Sequence, residues 1–418
     1  MNIRDMSHRT PVLVLALLAA GCGSGNRPPA PVPAPPPTVP DPALIAQGKQ
    51  VFRFDTFGDE AQWTDTLRLH EVISAAVDPV TALSVGLKVD AEALPAAVAK
   101  GIQDGSIDLK SPATTVALLK LNAVVGVVGK VETVGGADVL TRVGVTCALC
   151  HSTVDNSFAP GIGKRLDGWA NRDLNPGAII ALSPALSTAQ KAVYNSWGKG
   201  KYDPRFNLDG NNGPQVIPPA YGLAGIHKIT STGDGNDIAY WNRYVAVTQM
   251  GGRGTFEDPR IGVRVVNGEV DLVGPKLPAL QAYQLSLAAP PAPAGSFDTA
   301  AAARGKLLFA GKAQCISCHS GAELTDANTT LHEVADVVSE PENAFLTLRV
   351  SEQFGFRVLN LQLDDLLLRE DRVDHADTRP EHHLAPGLLH EISAEILVGS
   401  EDDPLVRRDR VDDLLGVP

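Results

Sequence analysis

Apolar residues return at helical spacing in several stretches of this chain and nowhere alternate for long enough to define a strand. Ala43–Phe52 and Ala300–Phe309 both carry an apolar helical period, and both contain the pattern Gly-Lys-x-x-Phe, at Gly48-Lys49 with Phe52 and at Gly305-Lys306 with Phe309. Ala91–Gln103 and Ala113–Val128 read as two further helices, separated by Gly and Pro, and His70 precedes Glu71 on another apparent helix. Between these stretches, Leu208–Gly225 and Thr230–Asp237 are dense in Gly, Asn and Pro, which predicts loops around short helices. The pattern as a whole predicts a mainly α fold with loop-rich insertions.

A different apolar run lies near the N-terminus. Val12–Ala20 follows Arg4, His8 and Arg9 and precedes small residues and Cys22, the layout of an export signal. It is shorter than the roughly 20 apolar residues that a membrane span needs. Leu18-Ala19-Ala20-Gly21 before Cys22 matches a lipoprotein signal in which Cys22 becomes the lipidated first residue; cleavage after a small residue, releasing a soluble product, is the alternative. Asn26–Pro42 is then dominated by Pro and Ala, a composition that favours polyproline II and builds no core. At about 3.1 Å per residue it would hold the folded part on the order of 50 Å from an anchor.

The chemistry concentrates in one pentapeptide that occurs twice, Cys147-Ala148-Leu149-Cys150-His151 and Cys315-Ile316-Ser317-Cys318-His319. Cys-x-x-Cys alone is shared with zinc sites and thioredoxin-like pairs, and the trailing His is what points to covalent haem. The two thiols add across the vinyl groups of one haem and the imidazole binds its iron. A zinc ribbon would place its cysteine pairs about 15 to 20 residues apart, and these lie far more widely separated. Of the five cysteines, only Cys22 stands outside the two motifs, so no pair is left for a disulfide.

The sixth iron ligand decides between a closed electron carrier and an iron open to small molecules. With Met1 and Met6 in the signal, Met250 is the one methionine of the mature chain. It stands in Thr248-Gln249-Met250-Gly251-Gly252, where two glycines would let the backbone approach a porphyrin, although a lone Met is usually core filler. His227 and His332 are the other candidate ligands. His375, His382, His383 and His390 sit in a charged tail and read as solvated. Trp63, Trp169, Trp197 and Trp241 are chiefly core anchors, with Trp241 in Tyr240-Trp241-Asn242-Arg243-Tyr244 the candidate electron relay. Asp209-Gly210-Asn211-Asn212-Gly213 and Asp234-Gly235-Asn236-Asp237 could touch calcium, but they lack the EF-hand spacing and turns explain them better.

The formal net charge of −12 argues against nucleic acid and for basic or neutral redox partners, although simple solubility explains such a charge as well. On the two haem motifs, the chain resembles the bacterial di-haem cytochrome c group that includes the di-haem cytochrome c peroxidases. That resemblance implies two cytochrome c-like haem domains, export to the periplasmic side of the envelope, and redox partners such as small cytochromes or cupredoxins. In the peroxidases a Met or Tyr after the second motif ligates the donor haem, whereas here no Met follows Met250 and no Tyr follows Tyr283. The expected organisation is a signal peptide at 1–21, a tether at 22–42, and a helical N-terminal part of the first haem domain at 43–135. The first haem-binding region at 136–287, a Pro/Ala linker at 288–296, a second haem domain at 297–345 and a charged C-terminal region at 346–418 complete it. Two functions are expected from this reading: electron transfer between envelope partners, or peroxide reduction at one open haem, for which spacing identifies no acid–base group, since Glu323 and Glu333 near the second motif read more readily as surface or propionate neighbours.

Overall fold

The computed structural model describes residues 41–204, 212–229, 236–259 and 263–332. The signal, most of the tether, the C-terminal region, most of the first calcium-candidate segment and half of the second lie outside these residues. Helix accounts for 41% of the described chain and strand for 16%, so the mainly helical expectation meets a substantial β component, all of it in two-stranded ribbons.

The chain enters through α1 (Pro42–Phe54), which Asp41 caps by accepting from the Ala43 N–H and Pro42 opens. A π-helical turn (Ala61–Thr66) leads to α2 (Leu69–Ala76) and α3 (Pro79–Ser84), then to the short strand β1 (Val89–Asp90). Next come α4 (Ala96–Gln103), α5 (Pro112–Lys120) and the hairpin of β2 (Val127–Val134) and β3 (Ala137–Val145). After the first motif, whose helical turn is α6 (Ala148–His151), β4 (Ser152–Val154) pairs antiparallel with β6 (Arg165–Asp167), and β5 (Ile162–Gly163) pairs parallel with β1. Then follow α7 (Pro176–Ala181), α8 (Thr188–Asn195), the β7–β8 ribbon (Lys201–Tyr202 with Gln215–Val216), α9 (Ile238–Tyr244) and the β9–β10 ribbon (Gly254–Asp258 with Val263–Asn267). Finally α10 (Leu277–Ser286) and α11 (Thr299–Ala310) flank the Pro/Ala segment, whose residues 288–296 are exposed throughout. No helix among the described residues is long and apolar enough to cross a membrane.

The helix expected to run to Val128 stops at Lys120, and the residues that follow form the hairpin. Asn122 takes a left-handed conformation (φ 53°) and Gly126 another (φ 77°), which ends the helical path. Gly135 and Gly136, both at positive φ, then make the tight turn that a two-residue hairpin favours.

Two apolar clusters result. One, around Val116, Leu119, Val124 and Leu140, holds α5 against the hairpin. The larger joins α1, the first motif, α9 and α10 through Phe52, Leu149, Tyr244, Met250 and Leu280. Beside it lies a buried charge network. The Asp167 carboxylate accepts from Arg53 Nε at 2.5 Å, from the Tyr283 hydroxyl at 2.5 Å and from Ser152 Oγ at 2.9 Å, while Arg165 pairs with Asp90 at 3.0 Å.

The repeated Gly-Lys-x-x-Phe pattern has two different outcomes. In α1, a Cβ on Gly48 would lie 1.9 Å from the Ala279 carbonyl oxygen of α10, so glycine is what lets the two backbones meet; Phe52, fully buried, packs edge-on to Tyr283 at 5.5 Å. In α11 no residue is buried and nothing lies within 4 Å of a Cβ on Gly305. Gly48→Ala should therefore destabilise by about 1–3 kcal/mol through forced backbone separation, while Gly305→Ala should be neutral or gain a fraction of a kcal/mol, up to about 1, from helix propensity. Thermal denaturation of the two variants checks this, and equal shifts would contradict the packing argument.

Candidate functional site

Both haem-type motifs fold as one helical turn. The N–H of His151 donates to the Cys147 carbonyl at 3.1 Å, and the N–H of His319 donates to the Cys315 carbonyl at 2.9 Å. That turn sets the two thiols three residues apart on one side, with the imidazole beside them. What aims the imidazole is the same contact in each case. His151 Nδ1 lies 3.0 Å from the Pro218 carbonyl oxygen, and His319 Nδ1 lies 3.1 Å from the Leu324 carbonyl oxygen. A carbonyl only accepts, so Nδ1 carries the proton and Nε2 keeps its lone pair for a metal. Two thiols and an Nε2-directed imidazole on one turn fit the demands of a covalently held haem.

The first site is set against the large apolar cluster, with Cys147, Cys150 and His151 themselves half-buried. Strand β3 delivers it: the Thr146 N–H donates to the Gly126 carbonyl at 3.0 Å, and Thr146 Oγ1 donates to the Arg53 carbonyl at 3.1 Å. Gly126 sits where a Cβ would come within 2.1 Å of the Leu149 backbone, so the hairpin and the motif touch main chain to main chain. On the other side, Gly168 and Asn171 donate their N–H groups to the carbonyls of His151 and Cys150 at 2.8 and 2.9 Å. Burial pushes the Cys147 and Cys150 thiols up to about 12 and holds the His151 imidazole below its usual range, the Pro218 contact opposing the latter. Neutral imidazole is the form that binds iron.

The second site is more open. Cys315 and Cys318 are partly exposed and His319 is exposed, with the Phe309 ring of α11 tilted 6.3 Å from its imidazole. The Asp326 N–H donates to the Cys318 carbonyl at 3.0 Å. His332 Nε2 meets Asp326 Oδ1 at 2.8 Å, a contact that holds the Asp326 carboxyl below the usual range. The Cys318, Asp326 and His332 ligand atoms all lie within 4.8 Å of one another. His332 in this arrangement is engaged through the nitrogen that a sixth ligand would use.

The remaining candidates fall in three places. His227 comes to the second site through its backbone: its N–H donates to Asn328 Oδ1 at 2.7 Å. Met250 is buried in the large apolar cluster that also packs on Cys147 and Cys150, and its carbonyl accepts from the Trp63 indole at 2.8 Å. The two glycines after it answer to protein packing. A Cβ on Gly251 would lie 2.5 Å from Gln62 Cβ, and one on Gly252 would lie 2.7 Å from the Ala246 carbonyl oxygen. The expectation that they make room for a porphyrin is thus replaced by a tight fit against the π-helical turn and Phe57. Trp241 joins an aromatic cluster with Tyr240 and Tyr244 at 5.6 and 6.0 Å, whereas Trp169, one residue past Gly168, pairs with Tyr221 at 5.8 Å beside the first motif. Asp237 is engaged in capping α9. Glu333 lies outside the described residues, as does Cys22.

The residues that aim the imidazoles were invisible to sequence reading because they act through backbone carbonyls. A proline-rich stretch before Tyr221 was the one available hint.

Comparison with protein-family profiles, with curated proteins and with solved structures finds no match for this chain.

One buried acid supports the approach to the first motif. Asp59, fully buried, faces the Val145 N–H at 3.2 Å, and burial holds its carboxyl well above the ordinary range. The folded chain then keeps a proton that the unfolded chain releases. The resulting stabilisation is complete below about pH 4 and is lost as pH rises through the raised value. Asp59→Asn should flatten the fall in melting temperature from about pH 4 towards neutrality; parallel profiles for the two proteins would assign the effect elsewhere.

Proposed function

We propose that this chain is an exported di-haem c-type cytochrome that transfers electrons in the bacterial cell envelope, tethered by a lipid on Cys22. The observation that carries the reading is the repeated geometry of Cys-x-x-Cys-His: in both copies a peptide carbonyl holds the imidazole proton on Nδ1 and leaves Nε2 for iron. Haem bound there supplies one-electron redox chemistry. The protein's own residues would fix ring orientation at both sites, and the large apolar cluster around Phe52, Leu149 and Met250 lies against the first. The acidic charge and the Pro/Ala tether suit encounters with basic or neutral redox proteins at a distance from the membrane.

A second reading, peroxide reduction at an open haem, draws on the Asp326–His332 pair. An imidazole oriented by a carboxylate beside the second motif is the kind of acid–base group that peroxide chemistry uses.

Expression with a haem-attachment system should yield two haems per chain by the pyridine haemochrome assay, falling to one in Cys147→Ala/Cys150→Ala and to one in Cys315→Ala/Cys318→Ala. A wild-type chain without covalent haem would reject the reading. Carbon monoxide added to the fully reduced protein then separates the two functions. An unchanged spectrum identifies a closed electron carrier, and a shift of one haem in two identifies an open site and favours the peroxidase.

A further inference from the structure

The segment between Pro218 and Lys228 supplies the carbonyl that orients His151 at one end and pairs with the loop that follows the second motif at the other. At its start the Pro218 carbonyl takes the His151 Nδ1 proton. The next turns are fixed to the first site: the Ala220 N–H donates to the Gly168 carbonyl at 2.7 Å, and Gly168 in turn donates to the His151 carbonyl at 2.8 Å. The Tyr221 ring packs edge-on to Trp169, and the Gly222 N–H donates to the Leu287 carbonyl at 2.7 Å. At its far end the segment meets the loop after the second motif through one side chain. Asn328 Nδ2 donates to the Gly225 carbonyl at 2.6 Å, and Asn328 Oδ1 accepts from the His227 N–H at 2.7 Å. A single amide thus copies the two-point pairing of a neighbouring strand. The fit is close, since a Cβ on Gly225 (φ 81°) would lie 2.7 Å from Glu323 Oε1. Glu323 and Asn328 bracket Leu324, whose carbonyl takes the His319 Nδ1 proton.

We infer that Pro218–Lys228 is a strap coupling the two Cys-x-x-Cys-His turns, and that Asn328 is the positioning residue that fastens it. The functional meaning of the coupling rests on the di-haem reading above; the strap itself does not. A carbonyl displaced at Pro218 changes the hydrogen bond that sets the basicity and orientation of His151. Because the strap is short and pinned at Ala220, Gly222, Gly225 and His227, motion at the second loop reaches the first imidazole through it.

The test compares wild type, Asn328→Ala and Asn328→Asp in the full chain. The Asp variant keeps an acceptor for the His227 N–H and loses the donor to the Gly225 carbonyl. Circular dichroism establishes that each variant is folded. Hydrogen–deuterium exchange should show the His227 amide opening about fivefold faster in Asn328→Ala, the scale of one lost hydrogen bond, with faster exchange extending to the amides of Gly222, Ala220 and Gly168. Asn328→Asp should fall between. In the haem-bearing protein, the reduction potential of the haem at His151 should move along with that at His319, a response that loosening of the second loop alone would not produce. Faster exchange confined to His227, with Ala220, Gly168 and the His151 haem unchanged, would overturn the inference. A wild-type chain without haem would defeat the functional reading while the exchange pattern still decides whether the strap exists.

Discussion

A ring nitrogen that must present its lone pair to a metal needs its other proton held elsewhere, and here a peptide carbonyl does the holding. That demand shapes the rest of the chain. A carbonyl cannot be placed by one residue; it needs a backbone with its own support on both sides. For His151 the support comes from Gly168, Ala220 and Gly222, and for His319 from the turn that Asp326 closes on Cys318. The two sites then differ in how much protein surrounds the same hydrogen bond. The first stands in the middle of a core shared by α1, α9 and α10, whereas the second rests at the surface on a helix that buries none of its residues. On the proposed di-haem reading, equal local chemistry in unequal surroundings would let one motif serve two potentials, because burial and solvent access tune a haem as much as its ligands do.

Electrostatics at the first site reinforce the same arrangement. Burial disfavours the thiolate forms of Cys147 and Cys150 and the cationic form of His151, so the interior selects neutral groups at all three positions. Asp59 follows the same rule one strand away.

The helical elements were legible where local chemistry announces them: Asp41-Pro42 at the start of α1, and the apolar period of α4 and of the first half of the predicted Ala113–Val128 helix. The second half failed because the apolar run Ala123–Val128 continues the helical period, whereas Asn122 and Gly126 turn the backbone left-handed and hand the chain to β2 at Val127. The motifs themselves were fully readable, since thiols and imidazole are side-chain chemistry at fixed spacing. Their orientation was not. Pro218 lies 67 residues from His151 and contributes an atom that every residue possesses. Paired glycines such as Gly251 and Gly252 signal that space is needed without saying for what; here Gln62 and Ala246 occupy it.

The charge network around Asp167 bears on how this chain can be divided. Arg53, Ser152, Asp167 and Tyr283 come from α1, β4, β6 and α10, and each needs the others to leave no bare charge in the interior. Removing one partner of such a buried pair costs about 3–5 kcal/mol, a large part of the stability of any domain. A fragment that starts after Phe54 would therefore strand a carboxylate in apolar surroundings, and one that stops before α10 would take the Tyr283 hydroxyl from it. The exposed Pro/Ala stretch at 288–296 lies beyond the last member of the network, so a break there would leave every partner of Asp167 in place.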